Sequence, residues 1–288
     1  NPKLLKKTLS PQIRKIMSGK ESSEVGGYHA KVALSLLVIV YIFNFIDRQI
    51  LSILAEEIQA DLGISDSGIG FLYGTAFAVF YSVVGIPLGK LADVWTRTKL
   101  ISIGLATWSI FTVLSGTARS FLALSIFRIG VGVGESSASP SAYSLLSDYF
   151  SPKVRTTVLA IYSSGVYIGS GIGLFLGGAI VDQWNTIFPD PSLAPFGIRG
   201  WQAAFIAVGL PGLLLALVTW QIKEPKRGLS DGIETTQHPH PFKEMLKEMI
   251  GLTPFALMGQ EKIVKNLFIN FSIALFIFLL CFLLASMT

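Results

Sequence analysis

Gly89-Lys90-Leu91-Ala92-Asp93-Val94-Trp95-Thr96-Arg97-Thr98-Lys99 joins two apolar stretches, each long enough to cross a bilayer. The turn packs a glycine, a carboxylate and three cations into one short segment. A turn this short between two spans lies at one membrane face, and its excess of cations assigns that face to the cytoplasm.

Composition agrees. Hydrophobic residues make up 51% of the 288 and charged residues only 14%, where a soluble domain carries about a quarter charged. The chain therefore reads as a membrane protein. The net charge of +5 does not indicate a nucleic-acid partner, because the cations cluster in loops between spans, where topology explains them. A lone cysteine, Cys281, lies in an apolar run and supports neither a disulfide framework nor a metal site. His29, His238 and His240 all fall outside the spans, and His-Pro-His-Pro in the linker reads as loop. The N-terminal stretch is mostly polar and has no signal-peptide pattern.

Seven segments have spanning length: roughly Val32–Leu54, Ile69–Ala92, Leu100–Thr117, Phe121–Leu146, Val154–Val181, Trp201–Ile222 and Ile263–Met287. Positive charge alternates across them. One side holds the N-terminal lysines, Lys90, Arg97, Lys99, Lys153, Arg155 and the Lys223–Lys265 cations. The other holds only Arg119 and Arg199, beside Glu56, Glu57, Asp61, Asp66, Asp182 and Asp190. The first side is cytoplasmic, which places the N-terminus inside. The expected organisation is a cytoplasmic segment over 1–31, a six-span bundle over 32–222, a polar linker over 223–261 and a further span over 262–288. Within the linker, Phe242, Met245, Leu246 and Met249 recur at helical spacing between lysines, which predicts an amphipathic helix over Pro241–Ile250 at the membrane surface.

Ionisable groups inside spans are costly and mark cavities or partners. Asp47, Arg48, Arg128 and Glu135 are the candidates. Asp47 lies about 22 Å from the cytoplasmic edge of its span, Glu135 roughly 16 Å and Arg128 roughly 27 Å, at 1.5 Å per residue. Arg128 and Glu135 are seven residues apart, two turns along one helix face, so the three can form one buried cluster. Burial and a neighbouring guanidinium act in opposite directions on a carboxylate, so moving either changes proton occupancy. The bland reading is a fixed ion pair that orients helices. Arg48 reads as a residue that snorkels toward the outer face or lines a substrate cavity with Tyr73, Tyr143, Tyr162 and Tyr167.

Gly130, Gly132 and Gly134 alternate along the fourth span, and Pro140 frees a carbonyl about a turn earlier. In the fifth span, Gly169-x-x-x-Gly173 followed by Gly177-Gly178 predicts a close packing face. Asp148 and Arg155 flank the Pro152 turn and are expected to pair across it.

The opening turn resembles the loop 2–3 signature of the major facilitator superfamily, roughly G-x-L-A-D-x-x-G-R-x-x, with Thr96 where that family usually has glycine. Arg128 and Gly132 match its fourth-span pattern. The fifth span resembles its G-x-x-x-G-P-x-x-G-G pattern, with Leu174 in place of proline. Phe43-Asn44-Phe45-Ile46-Asp47-Arg48, Arg128-x-x-x-Gly132-x-Gly134-Glu135-Ser136 and Gly200-Trp201-Gln202-Ala203-Ala204-Phe205 look like the Spinster-like branch, with Gln202 where related sequences usually have arginine. The resemblance implies an all-α integral membrane fold, half of a twelve-span transporter. It implies proton coupling through Asp47 and Glu135 with Arg128 as partner, and movement of lysolipid-like substrates or organic anions. It also implies that Asp93 braces a helix of the second half, while Gly89, Arg97 and Lys99 complete a cytoplasmic latch. No cofactor is expected beyond protons as the coupling ion.

The expected partners are the bilayer, a small-molecule or lysolipid-like substrate and a separate second half. The expected site is a bacterial inner membrane. The family has twelve spans in two halves, whereas one half, a linker and a further span that matches no family pattern are read here, so the chain reads as a truncated, split or frameshifted form and the latch lacks a partner within it. The leading reading is a secondary active transporter. The alternative is an inactive half, or a scaffold subunit that needs a partner. A receptor is disfavoured by the cytoplasmic N-terminus. An enzyme is disfavoured because no histidine base lies within the spans.

Overall fold

Six helices long and apolar enough to cross a membrane make up the bundle, all of them among the residues that the computed structural model describes, 25–231, 239–251 and 272. Helix α1 (Tyr28–Ile53) is followed by a short α2 (Ala55–Leu62). The second span, Asp66–Val94, consists of α3 (Asp66–Gly70), a π-helical turn at Phe71–Thr75 and α4 (Ala76–Val94). The third is α5 (Arg97–Ser115). The fourth, Phe121–Tyr149, is split into α6 (Phe121–Glu135) and α7 (Ala138–Tyr149). The fifth is α8 (Pro152–Ile187) and the sixth α9 (Gly200–Thr219). The seventh expected span lies outside the described residues. A separate compact unit contains α10 (Pro241–Gly251), which falls on the predicted amphipathic helix.

Apolar composition makes these segments helical, because only an intra-segment hydrogen-bond ladder satisfies the backbone in lipid. Their large side chains at the surface, among them Val83, Ile86, Phe175, Leu214 and Leu217, suit a hydrocarbon solvent. Span boundaries lie within about three residues of the sequence reading at most ends, with α1 beginning at Tyr28 rather than Val32 and α8 running to Ile187 rather than Val181. The fourth span departs from the expected single helix by breaking at Ser136–Ser137. Pro140 lacks the N–H that a continuing helix would need four residues before it. The serine hydroxyls donate instead to carbonyls of the preceding turn, Ser136 to Val133 at 2.7 Å and Ser137 to Gly134 at 2.9 Å.

Glycine sets the helix spacing. A Cβ at Gly169 would stand 2.5 Å from the Ile42 carbonyl oxygen, and one at Gly173 would stand 3.0 Å from Ile46 Cα. Gly165 and Gly177 face α1 on the same stripe, while Gly178 faces open space. The alternate glycines of α6 serve two neighbours rather than one. Gly134 lies against Trp108 and Gly104 of α5, Gly130 against Phe111 of α5, and Gly132 against Phe77 of α4.

Two apolar clusters fill the bundle. One includes Leu37, Val40, Trp108, Val131, Leu145 and Tyr162. The other includes Ile46, Ile50, Leu124, Trp201 and Phe205. On α1 the division falls between Val40 and Ile46, and on α6 between Leu124 and Val131. Asp47 and Arg128 sit at that junction.

Candidate functional site

Asp47 and Arg48 are consecutive on α1, so their side chains leave the helix in different directions. Each finds its counter-charge on α6. Arg128 Nη1 donates to Asp47 Oδ1 at 3.2 Å, and Arg48 Nε donates to Glu135 Oε2 at 2.7 Å. Asp47, Arg128 and Glu135 are all buried, while the Arg48 side chain keeps 25% of its exposure. Thr112 of α5 donates to the other Asp47 oxygen, Oδ2, at 2.5 Å. The expected cluster thus exists but is wired as two crossed pairs. Glu135 pairs with Arg48 and not with Arg128. Arg48 does not snorkel: its guanidinium lies 5.0, 4.7 and 4.9 Å from the rings of Phe45, Phe77 and Tyr81. Such a cage favours a cation that is partly desolvated.

The tyrosines divide. Tyr162 is buried, stacks on Tyr41 at 4.3 Å and meets Tyr143 edge-on at 5.4 Å. Tyr143 also shares a 3.1 Å hydrogen bond with Ser163. Tyr73 is half-exposed and its hydroxyl donates to Gln49 at 3.4 Å. Tyr167 is 83% exposed. Cavities of about 370 and 270 Å³ open at the other end of the bundle, around Asp61 and Arg199, and none of these tyrosines nor Arg48 lines them.

A second charged network occupies the end that carries the opening turn. Arg97 is completely buried. It donates through Nη1 to Asp148 and, at 2.9 Å, to Ser144. Its Nε reaches Glu224 at 2.7 Å, and Nη2 reaches the Pro225 carbonyl at 3.3 Å. Glu224 also accepts from the Thr98 backbone N–H at 3.0 Å, at the start of α5, where a carboxylate meets the positive end of the helix dipole. Lys99 lies 5.7 Å from the Trp220 ring. Asp93 and Gly89 lie beside this network in α4, and neither takes part in the contacts just described.

Two expectations fail here. Asp148 does not pair with Arg155, because Arg97 occupies one of its oxygens and the Gly228 N–H the other, at 2.9 Å. Arg155 turns instead to Asp231, Ser230 and the Ser147 carbonyl, at 2.8, 2.8 and 3.0 Å. Nor does Arg97 lack a partner in this chain, since Asp148 and Glu224 hold it.

Sequence reading missed the segment 224–231 as part of the site. Arg227 in it donates to the carbonyls of Ala92 and Trp95 at 2.6 and 2.5 Å, satisfying the end of α4 as basic side chains do at helix C-termini. Partial burial, and after it the neighbouring Arg97, lower the pKa of Arg227. Pro225 and Gly228 made this stretch look like plain loop, and only the acid-then-cation order Glu224, Lys226, Arg227 hinted otherwise. Thr112 carried no signal at all, since a hydroxyl in an apolar span is ordinary.

Six apolar helices around two buried ion pairs, with a braced basic turn at one end, define a polytopic membrane protein of the transporter type. The sequence profile of the Major Facilitator Superfamily matches residues 37–288, and the chain belongs to that superfamily, in its Spinster-like branch. The match includes the last expected span, for which the sequence motifs give no family pattern. Over 191 residues the chain is 32% identical to an MFS-type efflux pump of Mycolicibacterium smegmatis, covering 66% of this chain and 41% of the pump. It is 29% identical over 202 residues to the sphingosine-1-phosphate transporter SPNS2 of Danio rerio, covering 69% of this chain and 37% of that one. A crystal structure of a bacterial homolog to the human lysosomal transporter Spinster, inward-facing and occupied, aligns with a TM-score of 0.65 at 37% identity, covering 70% of this chain and 46% of that one. The chain therefore spans less than half the length of each of these three proteins. Members of this family are transporters, not enzymes.

Proposed function

We propose that the chain supplies the proton-coupling centre and one gate of a secondary active transporter that works by alternating access on a lipid-like or organic-anion substrate. The observation that carries this reading is the crossed pair Asp47–Arg128 and Arg48–Glu135, buried between α1 and α6. A carboxylate held by one guanidinium in an apolar bundle exchanges its counter-charge for a proton when that guanidinium turns to a substrate anion. Arg48 suits that exchange because it alone of the four keeps some exposure and sits in an aromatic cage. The similarity to the sphingosine-1-phosphate transporter of Danio rerio, whose substrate is an amphiphilic phosphate, supports an anionic substrate with an apolar tail. Arg97, Asp148 and Glu224 would form the gate at the cytoplasmic face, with the N-terminus on that side, in a bacterial inner membrane.

Proteoliposomes test this. Sphingosine-1-phosphate and a sugar acid serve as amphiphilic and organic-anion probes, with an imposed pH gradient. The chain is expected to move one probe in response to the gradient, and Glu135→Gln to abolish the pH dependence while probe binding persists. Unchanged pH dependence in Glu135→Gln would overturn the role of Glu135. Inactivity of the chain alone, cured by co-reconstitution with the second half of a relative, would favour the subunit reading.

A further inference from the structure

The Asp47 carboxyl has two oxygens in unlike settings. Oδ1 accepts from Arg128 Nη1 at 3.2 Å, and a guanidinium donates but never accepts. A proton on Oδ1 would therefore point at a donor. Oδ2 is the oxygen free to take one, and it lies 2.5 Å from Thr112 Oγ1. That same Oγ1 lies 2.9 Å from the Trp108 carbonyl oxygen, one turn earlier on α5. A threonine hydroxyl has one proton and two lone pairs, so it serves one of these two acceptors at a time.

We infer that Thr112 is a positioning residue for the Asp47 proton site, its hydroxyl pointing to Asp47 Oδ2 when the carboxylate is ionised and to the Trp108 carbonyl when the carboxyl is protonated. This rests on the proton-site reading above. When a proton arrives, an O–H bond forms at Oδ2 and donates to the Oγ1 lone pair. Thr112 keeps its own proton and turns about its Cβ–Oγ1 bond, and the Trp108 carbonyl accepts it on a spare lone pair. Both protonation states are thereby fully hydrogen-bonded, which matters where an unmade bond is costly. An ordinary helical threonine bonds the carbonyl one turn back, and that habit accounts for the 2.9 Å contact but not the 2.5 Å one.

Among the described residues, Thr112 and Arg128 are the side chains that hydrogen-bond the Asp47 carboxylate. The charged groups acting on Asp47 are Arg128, Arg48 and Glu135, from α1 and α6. On the α5 and α9 side, Asp47 borders a void of about 10 Å³ walled by Phe43, Trp108, Ser109, Thr112, Val208 and Gly209, none of them charged. That volume admits one water at most.

Infrared difference spectra of the reconstituted protein between acid and alkaline pH test the inference. Asp47→Asn first identifies the Asp47 carboxylic-acid C=O band. Thr112→Val keeps the volume and removes the hydroxyl. It is expected to move that band to higher frequency, as loss of a hydrogen-bond partner does, and to shift its titration midpoint by up to about tenfold in proton concentration. Thr112→Ser is expected to restore both. A band in Thr112→Val identical to wild type overturns the inference and leaves the proton-site reading standing. Absence of any Asp47-dependent band in the wild type overturns both.

Discussion

The two charged clusters use the same chemistry, arginine against carboxylate, and differ in how fully each is satisfied. In the centre, Arg128 Nε and Glu135 Oε1 are buried without hydrogen-bond partners among the described residues, as are Asn44 Nδ2 and Ser141 Oγ. At the basic end, Arg97 spends its donors on Asp148, Ser144, Glu224 and the Pro225 carbonyl. A buried polar atom with no partner carries its full desolvation cost. The centre therefore holds groups that a proton, a water or a ligand can relieve, while Arg97 at the basic end is held through all three of its guanidinium nitrogens. A transporter needs both, a part that exchanges partners and a part that holds the helix ends while it does so.

The largest expected effect is at the brace. Arg97→Ala leaves Asp148 and Glu224 without their buried cation and should cost roughly 3–5 kcal/mol, read as a lowered unfolding temperature in detergent. Arg97→Lys should recover only part of this, because an ammonium cannot reproduce the guanidinium fork. A cost as small as that of a surface pair would break the contrast. Next comes a change that disturbs the centre without touching a charge. Gly173→Ala sets a Cβ 3.0 Å from Ile46 Cα, next to Asp47, and should cost about 1–3 kcal/mol by overpacking. Gly178→Ala, which meets open space, should stay within about 0.5 kcal/mol. Transport lost in the first and kept in the second would show that the crossed pairs depend on the register of α1 against α8.

Much of this was legible in sequence, and the limit is physical. Span length and loop charge are one-dimensional properties, so six helices and the basic turn could be placed from residue types alone. The glycines at every fourth position of α8 announced a close face for the same reason. Depth along a span brought Asp47, Arg128 and Glu135 together, but depth says nothing of rotation. Consecutive residues leave a helix about 100° apart, and which of Asp47 and Arg48 faces which part of α6 depends on how α8 seats α1. The Asp148 partner was misread because nearness in sequence was taken for nearness in space. Arg97 lies 51 residues away and arrives there only when α5 packs beside α7. Segment 224–231 escaped because a short irregular stretch that ends in a single 3-10 turn has no period to read.

Glu135→Gln sharpens the comparison from the other side. The amide keeps the shape and its oxygen can still accept from Arg48, which stays partly exposed in its aromatic cage, so the stability cost should fall below that of Arg97→Ala. In a double-mutant cycle with Arg48→Gln, the coupling energy should be correspondingly modest. A coupling as large as that of Arg97 with Asp148 would mean that the centre is a brace as well.

The smallest effect is expected at the margin of the basic end. Arg155 and Asp231 pair at 2.8 Å, but their side chains keep 26% and 37% of their exposure, and Arg155 Nε has no hydrogen-bond partner among the described residues. Water competes for both groups, so Arg155→Ala should cost less than about 1 kcal/mol. The loss should shrink further in high salt, because exposed pairs are screened within about 10 Å at 0.1 M and 3 Å at 1 M. Arg97→Ala should keep its full cost under the same salt, its pair being buried. Thermal melts of both variants at low and high ionic strength separate the cases. If the two respond to salt alike, Arg97 is solvated in the working protein, and the brace opens more often than its burial implies.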